Sequence, residues 1–381
     1  MKNFTFCNPT RLIFGKDSLK RLRENIPSDS TILLAYGHGS IKKNGIYDAV
    51  CKELEGLTII PFGGIDANPD ASTIDEAVSV VRRSGCNFIL AVGGGSVIDA
   101  SKVIALGAKA DMSAWDMVTQ GYTGPSLPLG VVLTVPATGS EMNSGAVISN
   151  RATEEKFSVV AHHPLFSILD PTFTYTLSRH QLACGLADIF MHILEQYLTF
   201  PGQSGVMDRL SEGLLLNLLD IAPKVMSGEK DYDVACEYML SATFALNYSL
   251  SMGIEQDWMT HRIGHEITAL TGVTHGASLM MILPSVLRVM KSEKQGKIIQ
   301  MGERVFGIKQ KSTPQMVEDT IKAVECFIHS LGLAASLNEG GCDPTVVETV
   351  AKRFEKRGVA VGTLGTGTPE KVRKVLEQSI K

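Results

Sequence analysis

The chain has 381 residues, of which 44% are hydrophobic and 20% are charged, and its formal net charge is −4. This length exceeds what one ordinary hydrophobic core supports, so the sequence predicts two domains. The mixed, slightly acidic charge provides no basic field for nucleic acid, and the apolar content argues against disorder, so we expect small-molecule partners.

The cysteines and the N-terminus indicate the compartment. Seven cysteines are scattered without a Cys-x-x-Cys pair, and an odd number argues against a disulfide framework. The first residues contain no apolar segment of signal-peptide length, and the chain has no run of about 18 apolar residues. We therefore expect a cytoplasmic protein that is neither exported nor membrane-spanning.

Short β-like runs alternate with helical patterns in the first half of the chain. Compact apolar segments predict strands at residues 31–36, 57–62, 87–92, 129–135 and 167–169. Helical spacing fills the intervals at residues 17–25, 44–55, 72–84 and 96–107. This alternation is typical of βαβ units, and it predicts an α/β domain over residues 1–178 in which helices flank a parallel sheet.

Strand signals disappear from about residue 177 onward. Long helical patterns cover residues 209–226, 233–250, 276–291, 315–331 and 344–357. A loop rich in glycine and threonine at residues 359–368 precedes a last helix. The sequence therefore predicts an all-helical second domain over residues 179–381.

Two pairs of residues have the spacing of metal ligands. Asp188 and His192 lie four residues apart in a helical run, so their side chains share one helix face about 5 to 6 Å apart at Cβ. His261 and His265 repeat this spacing in a second helical run. Such a pair alone more often makes a solvated hydrogen bond than a metal site, but three of the nine histidines fall within residues 261–275.

The third histidine of this window requires a break in the helix. His275 follows His261 by 14 residues, which is about 21 Å along an unbroken helix. Gly272 stands where a C-terminal cap is expected, and a turn there would bring His275 back toward His261. These positions predict a metal site formed by Asp188, His192, His261 and His275, with ligand types that suit zinc, iron or nickel.

A triple-glycine turn follows the third predicted strand. Gly94, Gly95 and Ser96 open a helix, where backbone N–H groups can approach an anion and the helix dipole favours it. These residues predict a pyrophosphate site. In the alternative, Ser96 caps the helix with Asp99 at its third position, which requires no ligand.

The turn after the first predicted strand suggests the form of the nucleotide. It contains Gly37, His38 and Gly39 but lacks the full G-x-G-x-x-G spacing of the Rossmann fingerprint. No acid stands at the strand end to receive a ribose 2′-hydroxyl, whereas Ser40, Lys42 and Lys43 could meet a 2′-phosphate. This arrangement favours NADP over NAD, with solvated helix-start lysines as the alternative.

A third turn follows the strand at residues 129–135. The hydroxyls of Thr134, Thr138 and Ser140 could contact phosphate or ribose, or they could cap the next helix.

In order and spacing, these motifs resemble the iron-containing (group III) alcohol dehydrogenases. The likeness rests on Gly94-Gly95-Ser96-x-x-Asp99, Thr138-Gly139-Ser140-Glu141, Asp188-x-x-x-His192, and His261-x-x-x-His265 with His275. It spans nearly the full chain. Residues 8–15, 63–69 and 256–258 are especially similar to the NADPH-dependent aldehyde reductase and butanol dehydrogenase branch.

The resemblance implies an α/β dinucleotide-binding domain and an all-helical metal-binding domain, the dehydroquinate synthase-like architecture. The family's four metal ligands would fall on the four residues proposed above, and His265 would act as a proton relay. Gly37 replaces the aspartate of NAD-preferring members. Lys156 lies near the family's cofactor-contacting lysine, with a surface lysine as the alternative. The implied cofactor-binding residues are Gly37, His38, Gly39, Ser40, Lys42, Gly94, Gly95, Ser96, Asp99, Thr134, Thr138, Ser140 and Lys156.

The expected activity is reversible hydride transfer between NADP(H) and an aldehyde or primary alcohol, with one divalent metal, iron or zinc, as a Lewis acid. The family also implies a homodimer. One alternative is an NAD-dependent polyol or glycerol dehydrogenase of the same fold with three metal ligands, against which His192 and Gly37 argue. The other alternative is a non-catalytic module that binds a metal and a nucleotide.

Overall fold

The computed structural model of the protein describes residues 1–309 and 311–381. The chain forms two units, each discontinuous in sequence. We call residues Cys7–Ser178 with Lys230–Asn247 the α/β unit, and residues Met1–Phe6, Arg179–Glu229 and Tyr248–Lys381 the helical unit. The predicted boundary between residues 178 and 179 stays a prediction about independently folding domains.

The α/β unit contains eight strands within the described residues. They are β1 (Arg11–Phe14), β2 (Thr31–Tyr36), β3 (Thr58–Phe62), β4 (Phe88–Gly94), β5 (Leu129–Val135), β6 (Gly145–Asn150), β7 (Glu155–Val160) and β8 (Phe166–Leu169). Six of them form a parallel sheet in the order β1-β8-β5-β4-β2-β3, while β6 and β7 form a separate antiparallel pair. The predicted parallel sheet is confirmed.

Both units contain helices. They are α1 (Ser40–Lys43), α2 (Ile46–Glu53), α3 (Ala71–Ser84), α4 (Gly95–Gly107), α5 (Ala114–Thr119), α6 (Arg179–Tyr197), α7 (Gly205–Ser227), α8 (Tyr232–Ala245), α9 (Met259–Thr271), α10 (His275–Val289), α11 (Lys291–Arg304), α12 (Thr313–Ser330), α13 (Thr345–Arg357) and α14 (Pro369–Ser379). α8 belongs to the α/β unit, although its neighbours in sequence belong to the helical unit.

Alternate residues of the central strands enter two hydrophobic cores. Leu33 and Ala35 pack with α3 and α4 on one face of the sheet, whereas Ile32 and Leu34 pack with α2 on the other. All four side chains are fully buried. Burial on both faces explains why these strands read as continuous apolar runs rather than as alternating patterns.

The order of the strands contains one reversal of winding direction in the middle of the sheet. The chain adds β3 on one side of β2 and then returns to add β4 on the other side, so the winding direction reverses between β2 and β4. The ends of these strands are adjacent, with Tyr36 paired to Val92. In open parallel sheets, ligands bind beside such a reversal, at the carboxyl ends of the strands.

The helical unit contains the break that the histidine spacing requires. α9 ends at Thr271, and Gly272 caps it with a φ of 71°, donating its N–H to Thr268 O. His275 is then the first residue of α10. The predicted cap is therefore confirmed.

Several sequence-based assignments differ from the structure, and helices α5 and α11 were not predicted. The helix expected at residues 17–25 consists of two short 3-10 turns, and the helix expected to run to residue 250 ends at Ala245. β1 and the pair formed by β6 and β7 were not predicted, because they are short or half-exposed and their apolar patterns are weak.

No helix among residues 1–309 and 311–381 is long and apolar enough to cross a membrane.

Candidate metal centre and dinucleotide-binding turns

The four candidate metal ligands converge on one carboxylate oxygen. Asp188 Oδ1 lies 3.8 Å from Nε2 of His192, 3.8 Å from Nε2 of His261 and 3.8 Å from Nε2 of His275. Ligand atoms about 2.1 Å from one tetrahedral ion lie about 3.4 Å apart. The spacing therefore suits a divalent first-row cation surrounded by these four atoms. The ligand atoms of Asp188, His261 and His275 all lie within 4.8 Å of one another, whereas His192 is not part of this closer set.

The candidate ligand side chains are largely shielded from solvent. Asp188, His192 and His261 are buried, and the His275 side chain is 22% exposed. His261 Nε2 is buried and has no hydrogen-bond partner in the part of the chain that the structure describes. A buried polar atom without a partner is costly. A cation among the four ligand atoms would remove that cost, so the donor set fits a metal ion.

His265 lies beside the cluster without joining it. Its ring centroid is 5.1 Å from that of His275 and 6.2 Å from that of His261. The residue is half-buried, so its imidazole borders both the protein interior and the solvent. This position distinguishes His265 from the four residues around Asp188 Oδ1.

Two further side chains contact the histidines. The Trp258 ring lies 5.0 Å from His261 and 6.2 Å from His192, measured between centroids. Glu195 accepts a hydrogen bond from His261 Nδ1 at 2.8 Å. Sequence reasoning missed Glu195, although it follows Asp188 by seven residues on α6 and therefore shares its helix face.

The turn after β2 contains the first group of candidate nucleotide contacts. Gly39 has a φ of 91° and precedes Ser40, the first residue of α1. The Lys42 ammonium lies 4.9 Å and 4.8 Å from the ring centroids of Tyr36 and Tyr47, and the hydrogen bond to Tyr36 raises the pKa of Lys42. Lys42 is thus partly held by two aromatic rings.

An acid does lie at this turn, contrary to the expectation from sequence. His38 Nε2 is 2.5 Å from Asp66 Oδ1, and Asp66 also pairs with Arg151. The hydrogen bond from His38 holds the pKa of the Asp66 carboxyl below its ordinary value. The acid was missed because it comes from the segment after β3, 28 positions from His38 in the chain.

Packing alone explains the three glycines at the junction of β4 and α4. A Cβ at Gly93 would lie 2.6 Å from Val97 Cγ2, and a Cβ at Gly94 would lie 2.8 Å from Val135 Cβ. At Gly95 it would overlap Thr138. The backbone at the junction of β4 and α4 is therefore packed closely against neighbouring side chains.

The capping alternative for this turn is wrong. The residue that caps α4 is Gly94, which has no side chain to bond to the first N–H groups of the helix. Ser96 instead donates its hydroxyl to Ala67 O. The N–H groups at the start of α4 consequently keep the ability to bind an anion.

Asp99 and Ser140 join an internal polar network. Asp99 accepts from Ser140 Oγ at 2.6 Å and from Val147 N at 2.9 Å, and burial raises its pKa. Lys102 Nζ donates to Ser140 Oγ at 2.8 Å, to Asn143 Oδ1 at 3.0 Å and to Gly145 O at 2.7 Å. Burial lowers the pKa of Lys102 to about 8. This network holds the segment after β5 against α4.

Of the remaining candidates, Thr134 and Lys156 are buried and Thr138 is half-buried. Thr134, at the end of β5, is 6% exposed, and Thr138 Oγ1 accepts from Ser140 N at 3.2 Å. Lys156 is 7% exposed and donates to Asn68 Oδ1 at 2.9 Å, so the alternative of a surface lysine is wrong. The turns after β2, β4 and β5 end neighbouring strands, and the structure thus brings three of the predicted segments to one edge of the sheet.

Comparisons with known proteins cover both halves of the chain. Residues 9–171 match the family model described as iron-containing alcohol dehydrogenase, and residues 182–380 match that described as Fe-containing alcohol dehydrogenase family, C-terminal. The NADPH-dependent aldehyde reductase YqhD of Escherichia coli strain K12 is 40% identical over 365 residues, which is 94% of each chain.

Other relatives extend the likeness. The probable NADH-dependent butanol dehydrogenase 1 of Bacillus subtilis strain 168 is 37% identical over 388 residues and covers 100% of both chains. The crystal structure of YqhD from E. coli K-12 superposes with a TM-score of 0.96 at 39% identity, over 99% of each chain. The resemblance seen in the sequence motifs is confirmed. The chain therefore belongs to the iron-containing alcohol dehydrogenase family of oxidoreductases.

Proposed function

We propose that the protein is a metal-dependent, NADP(H)-using aldehyde reductase and alcohol dehydrogenase that acts on small aldehydes and primary alcohols. The convergence of three imidazole Nε2 atoms on Asp188 Oδ1 supports this proposal most directly. The names of the relatives, an aldehyde reductase and a butanol dehydrogenase, point to the same substrate class.

The metal would be zinc or iron, held by Asp188, His192, His261 and His275. When bound, a divalent cation supplies Lewis-acid stabilisation of the negative charge that develops on a carbonyl oxygen during reduction. The buried side chains contribute the low-polarity surroundings in which this stabilisation is largest.

His265 would move the proton. Reduction of an aldehyde requires one proton on the former carbonyl oxygen, and imidazole titrates near neutral pH. His265 lies next to His275 and is half-buried. A side chain in this position can exchange its proton with solvent and deliver it directly or through a water molecule.

The preference for NADP(H) rests on the turn after β2. Gly37 places no carboxylate at the strand end, and Ser40 and Lys42 are available to a 2′-phosphate. Asp66 opposes this preference, although His38 and Arg151 offset its charge. The pyrophosphate would bind the N–H groups at the start of α4. The homodimer stays a prediction from the family, and the cytoplasmic location stays a prediction from the cysteines and the N-terminal residues.

The test is reduction of butanal with NADPH, with NADH in parallel, before chelation, after chelation and after addition of zinc or ferrous iron. We expect NADPH oxidation that disappears with the chelator and returns with one of the metals. The control is a His329→Asn variant, which changes an exposed histidine paired with Glu339 rather than a candidate metal ligand. Faster turnover with NADH would contradict the cofactor proposal, and no turnover with any metal would favour a non-catalytic module.

A further inference from the structure

The N-cap side chain of helix α9 does not bond to the helix, and the first N–H of the helix, that of Met259, donates to Asp257 Oδ1 at 3.3 Å. Its N-cap residue is Trp258, which has a φ of 63° and makes no side-chain hydrogen bond to the helix. The first N–H groups of any helix need acceptors from outside it. The N–H of His261, the third residue of α9, donates to Glu195 Oε1 of α6 at 2.9 Å. A carboxylate from another helix thus caps α9, and its negative charge suits the helix N-terminus.

The same oxygen also contacts the ring of His261. Nδ1 of His261 lies 2.8 Å from Glu195 Oε1, and Glu195 is 1% exposed. A carboxylate only accepts hydrogen bonds, so the proton of the neutral imidazole stands on Nδ1 and the lone pair stands on Nε2. Nε2 is the atom that lies 3.8 Å from Asp188 Oδ1.

The backbone of Glu195 holds the chain just before α9. Its carbonyl oxygen accepts from Asp257 N at 2.7 Å. Asp257 is fixed in turn by a buried ion pair of 2.5 Å with Lys294 and by hydrogen bonds from Thr363 N and Thr363 Oγ1 at 2.8 Å and 2.7 Å. The entry into α9 is therefore tied to α6 at Glu195 through both its backbone and its side chain.

We propose that Glu195 is the positioning residue of the metal centre. One carboxylate oxygen caps α9 and fixes both the tautomer and the orientation of His261, so that Nε2 is presented to the cation. This inference rests on the proposed metal-dependent function. Carboxylates that orient a ligating histidine also raise its basicity, and their loss typically lowers metal affinity about 10- to 100-fold.

The experiment compares zinc affinity, measured by chelator competition on the metal-free full-length protein, for Glu195→Gln and Glu195→Ala. Glutamine keeps an acceptor oxygen for the helix cap but loses the charge. We expect Glu195→Gln to unfold near the wild-type midpoint without metal while its zinc affinity falls about tenfold. Glu195→Ala should lower the unfolding midpoint and the zinc affinity further, and its loss of zinc affinity should approach about 100-fold.

The matched control is Glu212→Gln. Glu212 is a buried carboxylate of the same unit, 3% exposed, whose partners are Tyr197, Arg209, Gln300 and Arg304. The Glu212→Gln substitution should lower the stability of the protein and leave its zinc affinity at the wild-type level. The visible spectrum of the cobalt-loaded protein is a second readout, since a weaker His261 donor shifts the ligand-field bands in Glu195→Gln but not in the control.

The outcomes separate this inference from the proposed function. Wild-type zinc affinity and an unchanged cobalt spectrum in Glu195→Gln and Glu195→Ala would overturn the positioning role, as would equal losses in Glu195→Gln and Glu212→Gln. A wild-type protein that binds no zinc would overturn it too. If zinc binds and responds to Glu195 as expected, but no aldehyde is reduced, the proposed function fails and the role of Glu195 stands.

Discussion

Asp188 is the common neighbour of three imidazole nitrogens, and the histidines around it divide into two kinds. His192, His261 and His275 direct Nε2 toward the carboxylate oxygen. His265 instead faces His275 from the next turn of α9. The distinction predicts that substitutions separate metal retention from proton transfer.

His261→Ala should abolish metal retention, because it removes one ligand and leaves Glu195 without the ring it orients. His265→Asn should keep the metal and lose about 100-fold or more in turnover, the size of a general acid's contribution. Metal content after gel filtration, measured by mass spectrometry, and aldehyde reduction check both statements. Full metal content in His261→Ala would show that the ligand assignment is wrong.

Gly37→Asp should impair use of NADPH more than use of NADH. A like-charge contact with a 2′-phosphate costs up to several kcal/mol, so we expect at least about a tenfold selective loss in kcat/KM. The matched control is Gly37→Asn, because any side chain here places Cβ 3.3 Å from Ile65 O. Equal losses for both coenzymes in Gly37→Asp would contradict the role of this position.

Asp66→Asn should raise the preference for NADPH. Its carboxylate is the negative charge nearest to His38, and one charge a few ångströms away in a high-dielectric setting is worth about 1 kcal/mol, or roughly fivefold. The ratio of kcat/KM for the two coenzymes measures the change, with exposed Asp48→Asn as the control. An unchanged ratio would place Asp66 outside the nucleotide site.

At the scale of single residues, spacing along the chain predicts only neighbours on one element. Asp188 and His192 could be paired because both lie on α6. Glu195 lies on the same helix, three residues after His192, and could have been recognised from the same helical spacing. Asp66 carried none, since its contact with His38 depends on how β3 lies beside β2.

Helices α6 and α10 approach each other at the level of the backbone, and this contact brings His275 to Asp188. A Cβ at Gly276 would overlap the carbonyl oxygen of Cys184 and would lie 3.1 Å from Cys184 Cα. Cys184 is one helical turn before Asp188, and Gly276 directly follows His275. The glycine therefore sets the separation between two ligand-bearing helices.

Gly276→Ala should push α10 away from α6. Overpacking of this kind costs about 1 to 3 kcal/mol in stability, and metal affinity should fall because His275 moves. Gly213→Ala is the matched control: Gly213 lies within α7 with nothing near its hypothetical Cβ, so alanine should stabilise by about 0.5 to 1 kcal/mol. Urea unfolding and zinc competition measure both variants; unchanged zinc affinity in Gly276→Ala would contradict the argument.

At the scale of elements, the sequence predicted what apolar runs and helical periodicity determine. The buried strands β2, β4 and β5 and most of the long helices were recognised for this reason, whereas α11 was missed. The 3-10 turns at Ser18–Arg21 and Arg23–Asn25 were taken for a helix because a short apolar repeat does not distinguish the two. The close approach at Gly276 is invisible in sequence, since periodicity does not report which helices touch.

The dependence of stability on pH is a property of the whole molecule. Lys102 makes a distinct contribution to the way the free energy of unfolding changes with pH. Burial lowers its pKa from 10.5 to about 8. Between these values the unfolded chain holds a proton that the folded chain lacks, so the free energy of unfolding rises with pH. Below pH 8 both states are protonated, and the contribution is constant.

Urea unfolding of the wild-type protein between pH 7 and 10.5 should therefore include a rising component that Lys102→Met lacks. Asp99 and Glu141, the acids that face Lys102, also have their pKa values raised by burial. The positive charge of Lys102 lowers the pKa values of both acids, so the comparison reports the lysine together with its effect on these two acids. Parallel curves for the two proteins would contradict the lowered pKa.

The path of the chain limits how the protein can be taken apart. Because α8 belongs to the α/β unit, the chain passes from one unit to the other four times. A fragment ending at residue 178 would lack Thr243, which donates to buried Glu141 at 2.6 Å, and Tyr238, which donates to Pro136 O at 2.8 Å. No single cut yields either unit whole. Nucleotide binding and metal binding must therefore be dissected by side-chain substitution in the intact chain rather than by truncation.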